Sequence, residues 1–418
     1  MSPAAEGSYD ATPLVVRTTA VADVDALLAL LPPVDTVAWL RRGDGLVGWG
    51  TAGIIRTKGA DRFAEARAWW NEVAGAAVVR DEVRKPGTGL VSFGSFAFAD
   101  DPGESVLLVP EVVVGRRGSA TWVTTIGRGS IAAAPPLEEL PTPTPPQAVA
   151  FADGALSGAE WEGVVAEAVR RINGGALEKV VLARDLVATA TADVDVRWPL
   201  QRLSESYPMC WTFHVDGLFG ATPEMLVRRE RGLVTSRVLA GTIRRTGDDA
   251  RDLALAATLA RSSKDLEEHE YAVRSVAEAL APHCTSMNVP ESPFVLHLPN
   301  VMHLATDVAG VIDDETSSLE LAEALHPSAA VGGTPTEAAK ELIAEIEGMD
   351  RGRYAGPVGW MDADGDGEWG IALRSAEVTG RTVRLFAGCG IVADSDPEAE
   401  LAEAQAKFVP VRDAVSGR

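Results

Sequence analysis

Residues 157–190 read SGAEWEGVVAEAVRRINGGALEKVVLARDLVATA, a helix followed directly by a strand. Ser157 can cap the helix with its hydroxyl while Glu160, three residues on, reaches back to the first amide, as in a capping box. Trp161, Val164, Val165, Ala168, Val169 and Ile172 then recur at helical spacing on one face, and Gly174-Gly175 supplies the stop. In the strand that follows, 178–190, successive side chains point to opposite faces. Lys179 therefore shares a face with Val181 and Ala183, while Val180, Leu182 and Leu186 take the other. A lysine is aimed along a largely apolar strand face.

Toward the N-terminus, residues 12–129 show short β-rich runs at 46–50, 90–99, 105–114 and 120–126 and one helical stretch at 60–74, an α+β pattern with a sheet. Between 134 and 147 stand Pro135, Pro136, Pro141, Pro143, Pro145 and Pro146, which cannot sustain a helix or an interior strand. This stretch is predicted to run extended over the surface as a connector, ending an N-terminal region (1–150) and leading into a core (151–418). Beyond the lysine strand the pattern predicts a strand at 210–215 and a hairpin of 225–229 with 233–239 turning at Glu230-Arg231-Gly232. A long helix at 253–280 follows, with a break at Ser262-Ser263. Strands at 358–361, 369–376 and 383–387 and a last helix at 397–409, opened by Pro397, complete the chain.

The chain has 418 residues, 46% apolar and 23% charged, enough to bury a large core and too apolar for a disordered protein. Lys and Arg number 38 against 60 Asp and Glu, a net charge of -22, the wrong sign for a phosphate backbone or an anionic lipid surface. Nucleic acid and membrane are excluded as expected partners. The apolar run 26–31 stops at Pro32-Pro33 and no secretory pattern precedes it, so a cytoplasmic location is expected. Cys210, Cys284 and Cys389 are too few and scattered for a disulfide framework or a thiolate metal site and read as buried reduced thiols.

Glu400, Glu403 and Lys407 are spaced i, i+3 and i+7 and share one face of the last helix, as would a surface ion-pair ladder. The earlier long helix carries Glu267, Glu268 and Glu270, a pattern that also fits a solvated face. Carboxylates from two helices facing one cleft would form a hard-oxygen site suited to Mg²⁺. Asp362, Asp364, Asp366 and Gly367 imitate a calcium loop, but its twelfth position is Leu373 where a bidentate Glu is required, so the segment reads as a hairpin turn. No Walker loop, zincin motif or nucleophile elbow is present.

A series of blocks nevertheless stands in order: Lys179-Val-Val-Leu-Ala-Arg184, Gly220-Ala-Thr-Pro-Glu-Met225, Leu239-Ala-Gly-Thr242, Ser263-Lys-Asp-Leu-Glu-Glu-His269 and His303-Leu-Ala-Thr306. Leu325-His-Pro327, Tyr354-Ala-Gly-Pro-Val-Gly-Trp360, Ala372-Leu-Arg-Ser375, Ala387-Gly-Cys-Gly-Ile-Val392 and Ser395-x-Pro-x-x-Glu400-x-x-Glu403-x-x-x-Lys407 follow. From Ser157 onward the chain resembles the chorismate-utilising enzymes, which include isochorismate synthases, salicylate synthases and the large subunits of anthranilate and aminodeoxychorismate synthases.

The resemblance implies an α+β fold of two stacked antiparallel β-sheets flanked by helices, with the active site between the halves and the N-terminal region completing the sandwich. It implies chorismate as substrate and Mg²⁺ held by Glu268 and Glu403 with Glu400 in support. Tyr354 and Arg374 would grip the enolpyruvyl carboxylate, and Thr242, His303, Lys407 and the amides of a glycine-rich loop at 387–392, including Gly388 and Gly390, would complete the substrate site. Members of the family that add ammonia carry Gln where this chain has Lys179, and members that add water carry Lys. Lys179 is thus expected to activate water for attack at C2 and Glu224 to protonate the departing C4 hydroxyl. Ala240 stands where aminodeoxychorismate synthases typically have a nucleophilic lysine, which disfavours that branch.

The expected activity is isochorismate synthase, for menaquinone rather than siderophore biosynthesis, in a monomer that needs no glutaminase subunit. Salicylate synthase, which goes on to eliminate pyruvate, is the rival within the family. A relative that only binds chorismate or a partner is the alternative of another class. Two departures from the family pattern are visible: Thr222 replaces Ser before Pro-Glu, and Ser328-Ala329 replaces Thr-Pro.

Overall fold

The lysine strand is an interior strand. Lys179–Thr189 is buried on both faces over most of its length and lies between Ala150–Asp153 and Thr382–Ile391. These relations come from a computed structural model, which describes residues 12–131, 133–298 and 301–417; the side chains of Lys264 and Glu268 are also outside the described set.

The helix before the strand, Gly158–Asn173, starts on the expected capping box. The Ser157 hydroxyl accepts from the Glu160 amide and the Glu160 carboxylate accepts from the Ser157 amide at 2.8 Å. Its apolar face buries Trp161, Val165, Ala168 and Ile172, and the Trp161 indole donates to the Ala183 carbonyl at 3.0 Å, fixing helix to strand. Ser157→Ala is expected to cost about 1 kcal/mol, read as a lower urea midpoint at unchanged m-value.

Among the described residues the strands form two sheets, of 13 and 10 strands. Pairing is antiparallel throughout except at one edge of the larger sheet, where Leu14–Ala20 runs parallel to Val78–Asp81. Strands from before the Pro-rich stretch enter both sheets. Thr36–Arg41 pairs with Trp211–Val215 in the larger, and Val91–Ser95 with Pro357–Asp362 in the smaller. Between the sheets Trp39, Trp211 and Phe213 meet Phe93 and Trp360 in an apolar layer. Residues 134–147 form neither helix nor strand and are mostly exposed.

Two runs that alternation reads as one strand are divided between the sheets. The run 105–114 breaks at Pro110-Glu111, where proline lacks a ladder donor, into Ser105–Val109 of the smaller sheet and Val112–Arg117 of the larger. The run 369–376 breaks at 372–374 into Gly367–Ile371 and Ser375–Thr379, again in different sheets, with Arg374 at φ 50°. A third crossing lies at Pro223-Glu224, which separates Leu218–Thr222 of the larger sheet from Met225–Glu230 of the smaller. Glu224 and Arg374 are therefore corner residues at the crossings between sheets.

The hairpin turn is Arg231-Gly232, both at positive φ, matching the twist of its strands. The long helix does break, into Asp249–Leu259 and Ser263–Leu280, with Ser262 capping the second through the Asp265 amide. The last helix does not stop at 409. It runs Pro397–Ser416 through Pro410, because Phe408, Val411, Ala414 and Val415 are buried in the core, which offsets the roughly 3 kcal/mol cost of an interior proline.

Candidate active site

The two sheets and their crossings enclose a cleft of about 300 Å³, small-molecule size. The larger sheet contributes Lys179, Val181, Gly388 and Gly390, the smaller sheet Leu239, Thr242 and His303, and the crossings Glu224 and Arg374. Tyr354 and, from the last helix, Glu400, Glu403 and Lys407 close it. The structure thus brings the described members of the expected site to one cleft. Glu268 lies in the helix Ser263–Leu280, one turn after the cleft residue Asp265, but its side chain is outside the described residues.

Glu224 is buried, and burial pushes its carboxyl up to about 8 against the opposing charges of Arg374, Lys179 and Lys407. At neutral pH it is a carboxylic acid, able to give a proton. Lys179 is half-buried at the start of its strand, opposite Thr334. Both groups line one small cavity that also carries the cations Arg351, Arg374 and Lys407 and the carboxylates Asp265, Glu400 and Glu403.

His303 and Thr242 are set by a β-bulge. The register shifts between Ala240 and Thr242, and Gly241 stands at φ 74°, where an added Cβ would lie 3.2 Å from Asp265. The bulge sets Thr242 opposite His303, and their Oγ1 and Nδ1 are 3.0 Å apart. Burial, helped by Arg374 and Lys407, pushes the His303 imidazole down to about 3, so it is neutral in the working range. Its Nε2 is buried without a hydrogen-bond partner among the described residues.

The expected glycine-rich loop is a strand: Thr382–Ile391 continues past residue 387 to Ile391. Beyond Leu385 it pairs on one side only, with Lys179–Thr189. The Gly388 carbonyl accepts from Lys407 Nζ at 2.8 Å, so this free edge faces the cleft. In an antiparallel strand the N–H and C=O of one residue point to the same side, which directs the Gly388 and Gly390 amides there too. A Cβ at Gly388 would come within 2.9 Å of the Leu182 carbonyl and 3.2 Å of the Tyr354 hydroxyl. Tyr354, stacked on Phe386 with centroids 5.1 Å apart, is buried and its phenol pushed up.

Lys407 pairs with Glu403 at 2.6 Å, and Ser395 donates to Glu400 at 2.7 Å. Ligand atoms of Glu400, Glu403 and Cys389 lie within 4.8 Å of one another. Burial pushes the Cys389 thiol up to about 12, and it donates to the Glu400 carbonyl at 3.3 Å. The two carboxylates are hard oxygen donors, a set that fits a hard cation such as Mg²⁺.

Several residues here carried no sequence signal. Asp265 lines the cleft. Arg351 also borders it and forms a buried bidentate pair with Glu347 at 2.6 and 2.7 Å. That pair grips the lysine strand, with Arg351 donating to the Val181 carbonyl and Glu347 accepting from the Ala183 amide. The i,i+4 spacing of Glu347 and Arg351 was its only trace.

The family model for chorismate binding enzymes matches residues 36–416. Isochorismate synthase MenF of Bacillus subtilis is 31% identical over 403 residues, covering 89% of this chain and 85% of that one. Isochorismate synthase DhbC of the same organism is 41% identical over 261 residues, 60% of this chain and 66% of that one. Among solved structures, that of MenF, the menaquinone-specific isochorismate synthase from Escherichia coli, superposes with a TM-score of 0.80 at 25% identity, covering 97% of this chain and 95% of that one.

Proposed function

Since the chain belongs to the chorismate binding enzyme family, we propose that it isomerises chorismate to isochorismate. The observation that carries this reading is a buried Glu224, its carboxyl pushed up to about 8 by burial, sharing one small cleft with Lys179. Lys179 takes a proton from water as the water adds at C2, both ring double bonds shift (C1=C2 to C1=C6 and C5=C6 to C4=C5), and Glu224 gives a proton to the hydroxyl as its bond to C4 breaks. The two transfers balance, so no net proton is consumed. Thr242 holds the neutral His303 ring against the substrate, and Tyr354, Arg374, Lys407 and the Gly388 and Gly390 amides take its carboxylates.

Glu403 and Glu400, with Glu268 from the facing helix, would hold Mg²⁺. The ion supplies positive charge to bind and orient the ring carboxylate. We further assign the product to menaquinone biosynthesis, supported by the long reach of the match to MenF of Bacillus subtilis. Restored menaquinone in a strain lacking its own menaquinone-specific isochorismate synthase is the expected result.

The direct test is incubation with chorismate, with and without Mg²⁺ and without ammonium, followed by chromatography with mass detection. Isochorismate is expected only with the metal and is expected to vanish with EDTA. Salicylate and pyruvate would move the chain to the lyase branch, and binding of chorismate without turnover would make it a binding protein.

A further inference from the structure

Glu224 lines a second, much smaller cavity besides the substrate cleft. This one measures about 10 Å³, close to the space of a single water. Its walls are largely apolar, formed by Met225, Leu226, Val238 and Ile371, and its other polar residues include Ser236 and Ser328. The Ser328 side chain is 92% buried from an exposure of 8%, and its hydroxyl has no hydrogen-bond partner among the described residues. The backbone there is fixed, since the Ser328 carbonyl accepts from the Val331 and Gly332 amides at 3.1 and 2.9 Å. A buried hydroxyl is costly to leave unpaired, and a water in so small a site is stable only with two or more polar neighbours.

We propose that one internal water, held by the Ser328 hydroxyl and Glu224 in this second cavity, fixes the orientation of the Glu224 carboxyl. Ser328 is then a positioning residue that acts through the proton donor. This rests on the reading of Glu224 as the general acid. The Glu224 carboxyl already accepts from the Leu239 amide and feels the charges of Arg374, Lys179 and Lys407, and the water adds a second hydrogen-bond partner that selects one orientation. It orients the acid proton toward the substrate and takes no part in bond making.

The test compares Ser328→Thr with Ser328→Val, which have nearly the same shape and differ in the hydroxyl. Kinetics are run beside Glu224→Gln, and a crystal structure of the parent protein is solved at a resolution that shows ordered water. The expected results are a water within hydrogen-bond reach of Ser328 and Glu224, near-parental kcat in the Thr variant, and kcat roughly tenfold lower at unchanged KM in the Val variant. Equal kcat in the Thr and Val variants, or a dry cavity in the crystal, overturns the proposal. If that occurs while Glu224→Gln is inactive, the water fails and the acid stands. If Glu224→Gln is fully active, the acid assignment itself fails.

Discussion

Glu224→Gln is expected to lower kcat by roughly 10² or more, the usual contribution of a positioned general acid, while leaving the fold intact. Gln keeps the shape and a donor but cannot release a proton to the departing hydroxyl. Unfolding separates lost chemistry from lost structure. Glu224 titrates at about 8 when folded against a reference of 4.5, so between these values the folded protein holds a proton that the unfolded chain has released. Its contribution to stability is full below pH 4.5, declines as pH rises through that window, and is gone above about 8. Glu224→Gln has no such loss and is expected to unfold at the same or a higher midpoint than the parent at pH 8 to 9. In the parent, kcat is expected to fall as pH rises through about 8, where the acid ionises, and this limb should be missing from the residual activity of the variant. Lys179→Ala is expected to cost a comparable factor, measured as initial rates of isochorismate formation. Unchanged turnover in Lys179→Ala would remove the base from the scheme.

Glu347→Ala is expected to destabilise the protein by about 3–5 kcal/mol, because it leaves the Arg351 charge buried and unpaired. Both side chains are almost wholly buried, at 0% and 2% exposure. Arg351 also lies over the Phe98 ring at 4.1 Å and donates to the Val331 carbonyl, so it cannot move out to water without breaking further contacts. The pair holds Val181 and Ala183, two and four residues from Lys179 on the same strand face. Loss of stability should therefore be accompanied by loss of turnover even where the fold persists. Urea unfolding followed by tryptophan fluorescence measures the first effect, and kcat at a temperature well below the midpoint measures the second. Replacing both residues with apolar side chains of similar volume should recover much of the stability, since the desolvation cost of the pair disappears with it.

What could be read from the sequence follows from which signals are local. The Ser157 capping box, the Gly174-Gly175 stop, the Arg231-Gly232 turn and the break before Ser263 are set by a few adjacent residues and stand where spacing puts them. Alternation cannot say which sheet a strand joins. The runs around Pro110 and Arg374 look continuous in sequence, yet the chain crosses between sheets there. Strand Thr36–Arg41, its residues buried except the last, lacks the alternation that betrays a half-buried strand. At the last helix, proline marks a stop only where nothing else holds the helix, and the packing of Phe408 and Val411 holds it past Pro410. The candidate site was legible as a set of ordered blocks, but not the reason its members meet. Glu224 and Arg374 are neighbours in space because each stands at a crossing between sheets, and Gly241 matters because the bulge aligns Thr242 with His303. The parts given to Ser328 and Arg351 rest on their burial, which spacing does not report.

The central claim is that Lys179 and Glu224 exchange a hydroxyl across the ring, adding solvent water at C2 as the C4 oxygen leaves. The measurement that tests it most directly is turnover of chorismate with Mg²⁺ in heavy-oxygen water, with the product analysed by mass spectrometry before back-exchange can accumulate. Isochorismate carrying one heavy oxygen at C2 is the result this account predicts. Isochorismate formed without heavy oxygen would mean that the hydroxyl migrates within the substrate, and the division of labour between Lys179 and Glu224 would be contradicted.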